Sequence, residues 1–209
     1  MKNYKKNLDL LEKNYVYSTE MEHDACGVGV IASTEGRKSR EIVEYGIEAL
    51  KAVWHRGAVD ADGKTGDGAG IHLEIPKDFF IEKIEVTGHD YDDAEICVGM
   101  IFLPRNDYAA QESCKTIVES ELTKNNFSIY GWRQVPVNSK VLGDKALQTM
   151  PEIIQVLFKS NDTNLLDKKL ERKIYETRKR IENKAFELSL NNFSVCSISS
   201  KSIIYKGLY

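Results

Sequence analysis

A chain of 209 residues, 42% of them hydrophobic, is long and apolar enough to bury one sizeable core, which excludes a peptide-like or disordered product. Its 29 basic and 32 acidic residues are mixed along the sequence to a net charge of -3, so no basic stripe is offered to a phosphate backbone and nucleic-acid binding has no support. No apolar run nears the roughly 20 residues that span a bilayer, and the Lys-rich start at Met1 leads into Asn7, Asp9 and Glu12 rather than a signal-peptide core, so no membrane partner and a cytoplasmic location are expected.

In chain order, residues 1–25 are polar, with few apolar positions in period, and read as a leader or extended arm. The run Cys26-Gly-Val-Gly-Val-Ile-Ala-Ser33 reads as a buried strand ending in a turn at Gly36. Ser39 then caps a predicted helix whose apolar positions are Ile42, Val43, Ile47, Leu50 and Val53. A glycine-rich loop, 58–70, leads into a strand in which Ile71, Leu73 and Ile75 alternate before Pro76. Farther along, the pattern predicts strands over 96–103, 127–137 and 153–158, and a helix over 107–124. A long charged helix over 164–188 carries Leu166, Leu170, Ile174, Ile181, Ala185 and Leu188 on one face, and two strands close the chain near 193–198 and 202–205. This mixture, with consecutive strands at the end, indicates an α+β sandwich rather than a doubly wound parallel fold.

Several motifs fail on their own chemistry. Gly27-Val-Gly29-Val-Ile-Ala32 has the letters of a dinucleotide fingerprint, but its glycines fall inside the predicted strand rather than between strand and helix. Gly63-Lys64-Thr65 resembles the end of a Walker loop, yet the first glycine is displaced by one position. Asp60-Ala-Asp62 begins like a calcium loop, and then Lys64 and Thr65 stand where a ligand and a glycine belong. The four histidines lack metal-ligand spacing, and the four cysteines, Cys26, Cys97, Cys114 and Cys196, contain no C-x-x-C, so no metal site is expected and the thiols read as reduced. Cysteine beside an apolar run is ordinarily core. Cys26 also admits a second reading: freed of its leader, it would carry a thiol and an α-amine of pKa roughly 7.7–8.0 on one residue, a nucleophile with its own base.

The residues around it favour the second reading. Glu22-His23-Asp24-Ala25-Cys26-Gly27-Val28-Gly29, Gly36-Arg37-Lys38-Ser39, His55-Arg56-Gly57-Ala58-Val59 and Lys64-Thr65-Gly66-Asp67-Gly68-Ala69-Gly70-Ile71 closely resemble the start of the glutamate synthase large subunits. Asp60 departs from that pattern, which usually has a small residue there. The resemblance implies a class II glutamine amidotransferase domain, residues 26–209, behind a leader, residues 1–25, cut between Ala25 and Cys26. It implies an N-terminal-nucleophile hydrolase fold, an αββα sandwich, with Cys26 as the catalytic nucleophile. Arg56 is the substrate-binding candidate, and Gly27 and Asp67 are weaker ones; Gly27 would let a substrate amide approach the backbone where a Cβ would block it, and Asp67 suits a turn equally well.

The same resemblance places an arginine-bearing substrate loop, an Asn-Gly oxyanion pair and an amine-binding aspartate in a later half, and none of these lies before Tyr209. The fold is therefore expected to be incomplete at its C-terminal end, and the chain alone weakly active. Glutamine is the implied substrate, and the remainder of the large subunit or a second chain the implied partner. The FMN and iron-sulfur cluster belong to the full-length enzyme, with no cofactor expected in this chain. Two alternatives stay open: a non-catalytic or split-subunit module completed by a second chain, and a hydrolase of another amide.

Overall fold

A computed structural model describes residues 2–14, 18, 27–53 and 59–207. Along the chain these form α1 (Lys2–Asn14), α2 (Arg40–Ala52), β1 (Ala69–Glu74), α3 (Lys77–Val86), β2 (Cys97–Leu103), α4 (Tyr108–Lys124), β3 (Phe127–Gln134), α5 (Asp144–Thr149), β4 (Glu152–Ser160), α6 (Asp167–Glu187), β5 (Ser194–Ser199) and β6 (Ser202–Gly207). A short 3-10 turn, Ser139–Val141, precedes α5.

The unbroken apolar run of β2 buries both faces of that strand, and the sheet is built outward from it. It pairs antiparallel with β4 on one side and β5 on the other, and β3 lies beyond β4, giving the order β3-β4-β2-β5. Successive side chains point to opposite faces, so Cys97, Ile101 and Leu103 enter a core shared with α4 and α6, while Val98 and Met100 enter a second core shared with β6 and α3. Helix α6 contributes Leu170, Ile174 and Ile181 to the first core and leaves its charged face outside. Leu166 and Leu188, counted with that face in the sequence, are the exposed caps of the helix.

Strand β6 pairs antiparallel with β1 in a separate two-stranded sheet, and α2 lies against β1. The closing strands β5 and β6 are therefore consecutive but belong to different sheets. Glu171 of α6 holds the crossover: its carboxylate accepts from Ser199 Oγ at 2.9 Å, from Ser200 N at 2.7 Å and from Ser200 Oγ at 2.8 Å.

The helices and strands predicted from residue 39 onward are present within a few residues, and Ser39 Oγ accepts from Ile42 N as an N-cap should. Three segments differ from the expectations drawn from the sequence. Residues 27–33, expected as a buried strand, form no strand, and Val28 and Val30 are 90% and 86% exposed. A small, apolar run supplies the composition of a buried strand, but a strand also needs a partner edge, and 27–33 pairs with none of the described strands. The expected extended arm contains α1, with Leu10 and Leu11 exposed. Helix α3, unassigned from sequence, buries Phe80 and Ile84. Among the described residues no helix is long and apolar enough to cross a membrane.

Because hydrogen bonds to a charged acceptor stabilise by roughly 1.5–3 kcal/mol, Glu171→Ala is expected to cost about 2 kcal/mol, read as a lower urea midpoint with unchanged slope. Glu171→Gln should cost less, and equal stability of Glu171→Ala and wild type would show that the crossover does not depend on this carboxylate.

Candidate active site

The glycine-rich segment before β1 is a small hairpin held by its own acidic side chains. Val59 and Gly66 form an isolated antiparallel bridge, Asp60 N donates to Thr65 O at 2.7 Å, and Gly63 N closes the turn on Asp60 O at 2.9 Å. Gly63 sits at φ +69°, a region glycine enters without a Cβ penalty. Asp62 Oδ1 accepts from Lys64 N at 2.9 Å and Thr65 N at 2.7 Å, and Thr65 Oγ1 donates to Asp62 Oδ2 at 2.5 Å. The calcium-loop and Walker-like letters thus serve an Asx-type turn.

A distant element seats this hairpin. Lys145 Nζ of α5 donates to Asp60 Oδ2 at 2.5 Å across 85 positions of sequence. Between them lies Gly143, φ −71°, where a Cβ would collide with the Asp62 carboxylate, the Thr65 hydroxyl and, at 2.7 Å, the Thr65 nitrogen.

The hydrogen bond from Thr65 Oγ1, followed by the two backbone N–H groups, holds the Asp62 carboxyl well below the usual carboxylate range, and Lys145 lowers Asp60 with help from Ala61 N. Asp60 in turn raises Lys145. Depressed acids stabilise the fold above their unfolded pKa of about 3.9 and lose that contribution as pH falls through the folded value; a raised lysine contributes below about 10.4 and loses it as pH rises past its folded value. The hairpin is thus fully latched between roughly pH 4 and pH 10.

The predicted site residues distribute unevenly over this frame. Cys26 and Arg56 lie outside the described residues. Gly27 and Asp67 are both exposed, Gly27 in the segment that forms no strand and Asp67 directly after the hairpin bridge. The other three cysteines are buried: Cys97 on β2, Cys114 on α4 and Cys196 on β5. Burial pushes the Cys114 thiol up to about 11 and raises Cys97 and Cys196 as well, so all three are protonated near neutral pH. Protonated thiols on three separate elements do not fit an iron-sulfur cluster. Among the described residues no group of three or more His, Cys, Asp or Glu side chains is placed to hold a metal ion.

Sequence reasoning passed over Lys145 and Gly143. Asp60 carried a signal as a departure from the pattern, but its partner is too remote in sequence to be inferred from spacing.

The described residues form an α+β frame with a structured glycine-rich hairpin before β1. Residues 26–209 match the family model of class-II glutamine amidotransferases, and the chain belongs to that family. It is 50% identical over 206 residues to the NADPH glutamate synthase large chain of Azospirillum brasilense, covering 99% of this chain and 14% of that protein. It is 39% identical over 189 residues to ferredoxin-dependent glutamate synthase 1 of Arabidopsis thaliana, covering 90% of this chain and 12% of the relative. The NADH glutamate synthase of Saccharomyces cerevisiae is 36% identical over 207 residues, covering 94% and 9%. The chain spans about one seventh of the length of the first of these relatives, and less of the others.

Carboxyl carbon shifts followed by NMR through an acid titration should place the Asp60 and Asp62 midpoints below the ordinary value of about 3.9. A midpoint near 4 for Asp62 would mean that the Asx turn and its contact with α5 are absent in solution.

Proposed function

We propose that this chain is the glutaminase portion of a glutamate synthase, in which Cys26, exposed as the first residue of the mature protein, hydrolyses glutamine to glutamate and ammonia. The observation that carries the reading is the state of the other thiols: Cys97, Cys114 and Cys196 are buried and held protonated. Of the four cysteines this leaves Cys26 as the candidate nucleophile. The family match beginning at residue 26 supports the same assignment, with residues 1–25 as a removable leader. Observed layers support the sandwich reading too: α2 on β1, β6 against β2 and β5, and α4 and α6 on the far side of the larger sheet.

In this reading the Cys26 α-amine takes the thiol proton and the thiolate adds to the side-chain amide carbon of glutamine. Collapse of the adduct breaks the C–N bond, the α-ammonium returns the proton to the departing nitrogen, and ammonia leaves a γ-glutamyl thioester. Water, deprotonated by the same amine, then cleaves the C–S bond to give glutamate and restore the thiol. Gly27 gives the amide room to approach, Arg56 pairs with the substrate carboxylate through its planar fork, and Asp67 shapes the turn behind it. The 209 residues contain no Asn-Gly pair to stabilise the oxyanion, and losing one such donor typically costs about a hundred- to thousand-fold. Slow turnover is therefore expected of the chain alone, with the missing groups assigned to the rest of a large subunit or to a second chain. Ammonia would serve glutamate synthesis from 2-oxoglutarate in the complete enzyme, with FMN and an iron-sulfur cluster outside these residues; glutamine hydrolysis at Cys26 involves neither group. Reduced, buried thiols suit a cytoplasmic setting.

Intact-mass and peptide mass spectrometry test the reading together. A new N-terminus at Cys26, and a covalent adduct on Cys26 alone from a glutamine-analogue electrophile, are the expected results, with both reactions lost in Cys26→Ser. An uncut chain whose Cys26 fails to react would instead favour a non-catalytic module.

A further inference from the structure

The connection from β3 to β4 is longer than its task requires. The two strands are antiparallel neighbours, and such pairs are commonly joined by roughly two to five residues, yet residues 135–151 form a 3-10 turn and α5 in between. The start of α5 is where the glycine-rich hairpin lands. Gly143 is wedged against Asp62 and Thr65, and Lys145 reaches Asp60. Its φ of −71° is open to any residue, so a glycine there answers to the close approach of the hairpin and not to backbone strain.

We propose that Gly143 is a positioning residue of the glutamine site, with Lys145 as a lateral stay: together they seat the 59–66 hairpin, which in sequence follows Arg56 by three positions and immediately precedes Asp67. This inference rests on the cysteine-glutaminase reading above. Gly143 sets how closely the hairpin approaches α5, since the contacts it permits leave no room for a methyl group. Lys145 contributes direction more than strength, because its side chain is 64% exposed and an ion pair so open to water is screened. The hairpin therefore sits at a distance fixed by packing and an orientation biased by charge. A shift on the order of 1 Å in a substrate-positioning element can cost about a hundredfold. With Arg56 as the carboxylate partner of the glutaminase reading, such a shift is expected in substrate binding rather than in the bond-forming step.

Inactivation of the purified chain by a glutamine-analogue electrophile separates affinity, KI, from the bond-forming rate, kinact. Gly143→Ala is expected to raise KI roughly tenfold or more while kinact changes by less than about threefold. Thr65→Val, which removes the hydroxyl bond to Asp62 without adding bulk, should raise KI in the same direction and serves if Gly143→Ala fails to fold. Lys145→Asp should also raise KI, and adding Asp60→Lys should bring it back toward wild type, a rescue that general loss of stability would not produce. Wild-type KI in a folded Gly143→Ala, or in Thr65→Val where Gly143→Ala does not fold, would overturn this inference alone. Failure of the wild-type chain to be labelled at Cys26 would remove the glutaminase reading and this inference with it.

Discussion

Everything in the structure is referred to β2, because it is a strand with no polar face. A strand exposed on one side can slip or end a sheet; one buried on both sides must be covered twice, and the two covers become the two halves of the molecule. Cys97, Ile101 and Leu103 demand the α4 and α6 layer, while Val98 and Met100 demand the β6 and α3 side. Gly99 shows how closely the neighbours come: a Cβ there would stand 2.6 Å from Val156 Cγ1. With β2 fixed, the chain after β5 has to leave the larger sheet to cover the second face. That is why β6 pairs with β1, and why the short turn between β5 and β6 is held by a carboxylate from α6.

The same layering brings the candidate site elements together. Strand β1 begins at Ala69, opposite Gly207 at the end of β6. Tyr205 of β6 accepts a hydrogen bond from Gln155 Nε2 at 3.1 Å, and Gln155 lies near the start of β4, where Arg133 Nη1 also donates to its Oε1 at 2.8 Å. The beginning of β1 therefore lies at the same end of the layers as the beginning of β4. The hairpin that precedes one and the α5 connection that precedes the other meet as a consequence of register. A fully buried glutamine between the sheets is tolerable because both ends of its amide are occupied.

Legibility in the sequence followed the range of the interactions. Ser39 with its 3.6-residue apolar period, and the uninterrupted run of β2, are local signals, and the elements they predict are present. Helix α3 was missed because Phe79, Phe80 and Ile81 are consecutive, which looks like no helix face, although only Phe80 and Ile84 are fully buried. Residues 27–33 misled in the opposite direction, since an apolar run is silent about the partner edge a strand requires. Two bulges were also invisible: opposite β4, Tyr130 is the extra residue between Ile129 and Gly131, and opposite β2, Cys196 is the extra residue between Val195 and Ser197. Each bulge turns that side chain toward the inter-sheet core. The candidate residues Cys26, Arg56 and the 64–71 stretch stand out as a motif, but the support of the hairpin does not, because Asp60 and Lys145 are 85 positions apart with β1, α3, β2, α4 and β3 between them.

Asp60 gives that support a chemical meaning. Under the proposed glutaminase reading, the site would receive a carboxylate and release glutamate, which carries two. An uncompensated acidic hairpin beside it would repel both: at 4 Å, two like charges interact with about 1 kcal/mol in bulk water and about 4 kcal/mol at the effective dielectric of a protein surface. This chain places two aspartates, Asp60 and Asp62, in the hairpin leading to Asp67. Neither presents a bare charge, since Asp60 is met by Lys145 and Asp62 accepts from the Thr65 hydroxyl and the backbone N–H groups of Lys64 and Thr65. The hydrogen bonds that order the hairpin also spread its negative charge over these donors. Folding the acidic turn and quieting it are one interaction, and the seat on α5 provides both.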